Sequence, residues 1–329
     1  MTRPKLSLLD LVRVAEGATP RQALLNARTI AQAAETLGFH RYWVAEHHNM
    51  VGIASAATAV VLAHVGAGTS RIRIGAGGVM LPNHAPYVIA EQFGTLAQLH
   101  PGRVDLGLGR APGTDGATLV RALRRNHGAG DRFPQDVVEL MSYFAPDDGS
   151  PRIHAVPAPG TDPEFVLLGS SEFGAILAAE LGLPYAFASH FAPDLLHEAL
   201  HLYRSRFKPS ARLARPHAIV AVNVACAETE TEARRLFTTP QQGFLGLIRN
   251  ARGLGQPPVD DFAALCTPQQ EAQVMRMLAV HAVGTPDQVR ARLDALVAET
   301  QADELIIVTD CHELEARLTS LRLTAEAWA

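Results

Sequence analysis

The feature that most constrains this chain is an alternation. Along its 329 residues, short β-branched or apolar runs recur, and each is followed by a longer amphipathic stretch. Residues 6–9, 42–45, 71–74, 103–108, 165–168, 185–188, 218–225 and 304–308 read as strands. Between them lie helix patterns with clear ends. Thr19 and Pro20 supply an N-cap and a first helical residue, and Gly38 supplies the stop. Thr285 and Pro286 repeat that start late in the chain. A strand–helix unit used eight times predicts an α/β fold, the (β/α)8 or TIM barrel, with parallel strands. It also predicts one domain over residues 1–329. Two irregular stretches, about 109–163 and 231–280, read as insertions after the fourth and seventh strands. Both fall at the C-terminal ends of strands, the face where such barrels carry their sites.

Composition excludes several classes. The chain is 47% hydrophobic, enough for a sizeable core, and 29 basic residues against 33 acidic ones leave a net charge of −4. Arg121, Arg124 and Arg125 are the densest basic cluster, too little for a nucleic-acid groove. Cys226, Cys266 and Cys311 are far apart and odd in number, which argues against a disulfide framework or a structural zinc site and suits a reducing cytoplasm. The first residues lead into only a short apolar run, so no secretory signal is expected. The longest apolar stretch, 53–68, is Ala-rich, holds His64 and is too short to span a bilayer.

The chemistry is expected where the predicted strands end. After the second comes Glu46-His47-His48-Asn49, a carboxylate and two imidazoles suited to acid–base work or metal ligation. Neighbours on an extended strand end point opposite ways, so His47 and His48 are not expected to share a task. After the third comes Gly75-Ala76-Gly77-Gly78 through His84, where glycines allow close approach of a flat ligand or a tight turn. After the fourth, Gly109-Arg110 offers a cation at a phosphate seat or a surface Arg. After the fifth, Gly169-Ser170-Ser171 runs straight into a helix, either an anion site or an ordinary N-cap. After the sixth comes His190, lining a pocket or capping the next helix. Each signal is weak alone, but a phosphorylated planar cofactor would use all of them.

Tyr42-Trp43-Val44-Ala45-Glu46-His47-His48, Val79-Met80-Leu81-Pro82 with Pro86 and Glu91, Pro101-Gly102-Arg103 through Gly109-Arg110, Gly169-Ser170-Ser171 and Gly182-Leu183-Pro184 together resemble the bacterial luciferase-like flavin monooxygenases. The likeness runs in order over nearly the whole chain and is closest to single-chain members. It implies a TIM barrel that binds reduced FMN, whose C4a-hydroperoxide, formed with O2, oxygenates a small organic substrate. A separate flavin reductase would supply the reduced FMN. By the same resemblance, His47 is the catalytic histidine. Glu46 and His190 lie near the flavin ring, Leu8 and Leu9 form an apolar floor, and Gly77-Gly78 is a non-proline cis peptide against the ring. Arg110, Gly169, Ser170 and Ser171 hold the phosphate. Arg132 is the candidate for a second phosphate cation, and a homodimer is implied. Ser170 departs from the family pattern, which carries an acid there. Residues 238–278, with several glycines and Pro257-Pro258, are a candidate lid over the site. Two alternatives stay in the same fold, a flavin-binding protein without turnover and a deazaflavin-dependent oxidoreductase. A metal hydrolase using Glu46, His47 and His48 ranks below them, and no resident metal, nucleic acid or membrane is expected.

Overall fold

The computed structural model describes residues 3–125, 128–147, 149 and 153–329. Met1 and Thr2, on which the signal-segment reading partly rested, lie outside them, as do a few positions of the 109–163 insertion.

In chain order the elements are β1 (Lys5–Asp10), α1 (Pro20–Thr36), β2 (Arg41–Val44), α2 (Thr58–Gly66), β3 (Arg73–Met80), α3 (Pro86–Leu99), β4 (Val104–Gly109), α4 (Gly116–Arg121), α5 (Phe133–Ser142), β5 (Glu164–Gly169), α6 (Glu172–Leu181), β6 (Tyr185–Phe187), α7 (Leu196–Arg206), β7 (Ala218–Cys226), α8 (Glu230–Ile248), α9 (Pro268–Met277), β8 (His281–Gly284), α10 (Pro286–Thr300), β9 (Glu304–Val308) and α11 (Leu314–Trp328). Eight strands close a parallel barrel in the order β1-β2-β3-β4-β5-β6-β7-β9, with β9 returning to β1. This is the TIM-barrel fold. The eighth predicted strand is therefore β9. The extra strand, β8, pairs with residues 223–226 of β7, beyond the stretch that β6 covers.

Barrel strands are covered on both faces, which is why β7 and β9 are apolar nearly throughout and buried at every position. Alternation still sorts the side chains. Leu9, Trp43, Ala45, Val166, Ala186, Ile219, Ala221, Ile306 and Val308 form one cluster inside the barrel. Leu6, Leu8, Tyr42, Val44 and their equivalents pack outward against the helices. Trp43 fills much of the interior. A Cβ at Gly77 would come within 2.8 Å of the Trp43 ring and 2.9 Å of Leu9 Cδ1, so these glycines make room for it.

The N-terminal end of the barrel is closed by charges. Arg41 Nη1 donates to Asp105 Oδ2 at 3.0 Å and Arg41 Nη2 donates to Glu304 Oε2 at 3.0 Å. Arg73 Nε and Trp43 Nε1 also donate to Asp105, at 2.7 and 2.8 Å. Ser7 donates to Glu304, and the ring of His217 lies 3.2 Å from it. Burial alone would raise the Glu304 carboxyl. The His217 hydrogen bond, the Arg41 charge and Ser7 override it and hold the group at about 2.

Three differences from the sequence reading have local causes. The third strand continues past residue 74 to Met80, so the glycine run is strand, with a register shift against β4 between Ala76 and Val79. The second helix starts at Thr58, not at 55, because buried Ser55 donates its hydroxyl to the carbonyls of Ala45 and Leu11. The insertion after β4 carries two helices, α4 and α5, where the sequence showed only an irregular stretch, whereas the one after β7 reads in the sequence as helical from 231 to 278 with a break at 253–258 and carries α8 and α9. Among the described residues, no helix is long and apolar enough to cross a membrane.

Candidate active site

The barrel mouth is organised by the end of β2. Residues 41, 43 and 45 point inward, so His47 continues toward the barrel axis, while Glu46 and His48 turn the other way. The contacts agree. His48 Nε2 lies 2.8 Å from Glu46 Oε1, whereas the charges that reach His47 are chiefly those of Arg13 and Arg252, opposed by the more weakly acting Glu46, and His47 in turn acts on His190.

His47 and His190 are the polar centre of the mouth. Among the described residues, the buried Nδ1 of each has no hydrogen-bond partner. Burial, reinforced by Arg13, pushes His47 down to about 4, against the opposing pull of the Gly113 carbonyl. Burial, then the His47 and Arg13 charges, pushes His190 down to about 3. Both rings are therefore neutral at pH 7, each able to take or give a proton at an open nitrogen. His190 is fixed by Asn223, whose Nδ2 donates to its carbonyl at 2.6 Å, and by an edge-on Phe191 at 5.0 Å.

On the other side of β2, Glu46 gathers a second cluster. One carboxylate oxygen, Oε1, lies 2.8 Å from His48 Nε2 and 2.8 Å from His84 Nε2, and Oε2 accepts from Met80 N at 3.2 Å. Burial alone would raise this carboxyl. The two imidazole hydrogen bonds win and hold it at about 2. Glu46 therefore braces the end of β3 and does not share the face of His47. His84 appears in the sequence only as the tail of the glycine segment. Nothing local marks it, because its partner lies 38 residues away.

The Gly77–Gly78 peptide is cis, as the resemblance implied. A Cβ at Gly78 would come within 2.7 Å of the Gly107 carbonyl and Leu168. Leu9 lies inside the barrel beside this peptide, but Leu8 packs outward and takes no part in the mouth.

A cationic corner stands at the ends of β4 and β5. The Arg110 guanidinium lies 4.0 Å from the ring centroid of Phe173, in the first turn of α6. Ser171 is the N-cap of α6, yet its side chain makes no capping bond, so its hydroxyl and the first N–H groups of the helix remain for an anion. Gly169 and Ser170 lead into that turn and are partly exposed. Arg125 is the second cation here. It donates to Asn83 Oδ1 at 3.3 Å and to the Arg110 carbonyl at 3.4 Å. Arg132 is 72% exposed and, among the described residues, pairs with Asp136 at 3.6 Å rather than with the corner. The turn after β4 is stitched to the end of β2, since His48 N donates to Gly113 O at 2.9 Å and Thr114 Oγ1 to His48 O at 3.0 Å. Gly113 has φ +65°, and a Cβ there would strike the Glu46 carbonyl.

Residues 249–262 lie over the side of the mouth. Gly255 exchanges hydrogen bonds with Val14 and Glu16, at 2.9 and 2.7 Å, and the Gly253 carbonyl sits against Gly52. Thr238 accepts from Val259 N at 2.8 Å. Phe237, Leu245, Phe262, Val274 and Leu278 give the insertion its own apolar cluster against Ala225 of β7.

Comparison with known proteins agrees with this architecture. The family model for luciferase-like monooxygenases matches residues 5–304. The chain is 48% identical over 320 residues to a luciferase-like monooxygenase of Escherichia coli K12, covering 97% of this chain and 96% of that one. It is 32% identical over 335 residues to the N-acetyl-S-alkylcysteine monooxygenase of Bacillus subtilis, covering 98% of each. Among solved structures it is similar to apo-MsnO8, with a TM-score of 0.87 at 35% identity, covering 99% of this chain and 98% of the other. The chain belongs to the luciferase-like monooxygenase family.

Proposed function

We propose that this protein is a flavin-dependent monooxygenase that takes reduced FMN from a separate reductase and uses O2 to oxygenate a small organic substrate. The observation that carries this reading is the pairing at one barrel mouth of two neutral imidazoles, each with an open buried nitrogen, and a two-arginine anion corner at an uncapped helix start. The donor set fits a phosphorylated ring. Arg110, Arg125, Ser171 and the α6 N–H groups would hold the phosphate. Leu9 and the Gly77–Gly78 backbone would offer an apolar surface to the ring. The bound reduced flavin would supply the electrons that activate O2.

The chain's own residues supply the rest. His47 would accept a proton or hold a hydrogen bond at Nδ1, and return the proton from the imidazolium so formed. It is neutral at pH 7 and therefore does not place a fixed positive charge beside the reacting centre. His190 shapes the opposite wall. The insertion at 249–262, pinned to Val14 and Glu16, limits water at the mouth, as oxygen activation by a flavin requires. A homodimer is part of the proposal, and Val60 and Val88, 71% and 42% exposed on the adjacent helices α2 and α3, are an apolar surface available for it.

The test is a titration with FMN and reduced FMN, followed by turnover with a flavin reductase and O2. Thioethers come first in the substrate screen, because one relative is named for N-acetyl-S-alkylcysteines. Aldehydes and amines follow, with product read by mass spectrometry as a gain of one oxygen. No FMN binding at about 100 µM overturns the reading. Binding without any product favours the flavin-binding protein, and selective binding of a deazaflavin favours the other alternative.

A further inference from the structure

We propose that Glu46, His48 and His84 form a binding site for a divalent transition cation of the zinc class, behind the wall that carries His47. The two imidazole Nε2 atoms each stand 2.8 Å from the same Glu46 oxygen, and the three donor atoms all lie within 4.8 Å of one another. Metal–ligand bonds of about 2.0–2.2 Å place neighbouring donors roughly 3 Å apart, so donors this close can meet on one ion with small side-chain movements. The set comprises two imidazoles and one carboxylate. This favours Zn2+, Co2+, Ni2+ or Cu2+ over Mg2+ or Ca2+, which prefer oxygen ligands.

Three further observations fit a ligand site better than a plain hydrogen-bonded brace. The carboxylate is fixed in orientation by Met80 N on its other oxygen, an outer contact of the kind that holds a ligating carboxylate. It is fully buried, so its oxygens are shielded from water and, among the described residues, meet only the two imidazoles and Met80 N. The two imidazoles are 16% and 28% exposed, which leaves an entry path from solvent. On binding, each ring would present its Nε2 lone pair to the cation with its proton on Nδ1, in place of its present contact with Glu46. Three protein ligands leave at least one position for water. Such an ion would tie the end of β2 to the turn after β3. His47 points to the opposite side and takes no part.

The experiment uses the full chain without flavin, so it stands apart from the test of the flavin reading. Equilibrium dialysis against Zn2+ at pH 7.5 is expected to show one equivalent bound, with no competition from millimolar Mg2+. Co2+ should give a visible ligand-field band, and Cu2+ an electron paramagnetic resonance spectrum with two nitrogen couplings. His84→Gln, with folding checked by circular dichroism, should weaken Zn2+ binding more than about tenfold. His47→Ala should leave it unchanged. So should the double variant His197→Ala/His201→Ala, which removes the exposed i,i+4 histidine pair on α7 that could otherwise capture metal. The proposal is overturned by no Zn2+ binding at about 100 µM, by binding that survives His84→Gln, by binding lost in the α7 variant, or by fewer than two nitrogen couplings to Cu2+.

Discussion

The two ends of the barrel treat polar groups in opposite ways. At the N-terminal end, Arg41, Arg73, Asp105, Glu304, Ser7 and His217 are buried or half-buried and bonded to one another. Even Arg41 Nε, which lies 2.8 Å from Glu304 Oε1, misses a hydrogen bond only through its angle. At the C-terminal end, His47 and His190 are buried with Nδ1 atoms that nothing among the described residues satisfies. Burial penalises both arrangements, and only the first is offset internally. The lower end is paired throughout, whereas the upper end sets paired carboxylates, Glu46 with His48 and His84 and Asp10 with Tyr42 and Arg317, beside two imidazole nitrogens that no described residue satisfies.

That contrast can be broken at either end. The largest effect is expected at the lower one. Arg41→Ala leaves Asp105 and Glu304 buried without their main cation and should cost about 3–5 kcal/mol of stability, read by urea unfolding. A loss under 1 kcal/mol would show that the charge cluster contributes little. At the upper end His47→Ala should do the reverse, with unfolding nearly unchanged and oxygenation rate lowered about 10²–10⁴-fold. Unchanged turnover would remove His47 from the chemistry.

Next in size is Arg110→Ala, which should weaken FMN by about 10–100-fold, the worth of a charged hydrogen bond, while riboflavin binding stays the same. Equal loss for both ligands would mean that Arg110 does not meet the phosphate.

A smaller effect is expected in the acid range. His47 and His190 titrate at about 4 and about 3 in the folded chain, against an ordinary value near 6.5. The unfolded chain takes up their protons first as pH falls. Their contribution is therefore neutral above pH 6.5, and stability declines from there toward pH 4. His47→Ala should flatten that decline by up to about 1.4 kcal/mol per pH unit. An unaltered slope would show that His47 is not buried neutral. Smallest of all, Arg132→Ala should change neither stability nor FMN affinity, because the side chain is largely in water.

The strands that close the barrel were legible because burial on both faces writes a continuous apolar run into the sequence. β8 was not. It has four residues, two of them only half-buried, and its existence depends on the edge of β7 left free beyond β6. The split between His47 and His48 was legible from the two-residue period alone. The choice of Arg125 over Arg132 was not, because both lie in a poorly patterned insertion and only packing against Asn83 and Arg110 separates them.

The sequence by itself determined the barrel, the face that carries the site and the side of β2 on which each histidine stands, because hydrophobic period and strand ends are local properties. The tertiary structure decided that Glu46 serves His48 and His84, that Leu9 and not Leu8 reaches the interior mouth, and that His47 meets His190. Apart from the Glu46–His48 contact, those facts join residues 38 to 143 positions apart or depend on which face closure turns inward. No local pattern encodes such a meeting. It exists only once eight strands have closed on themselves.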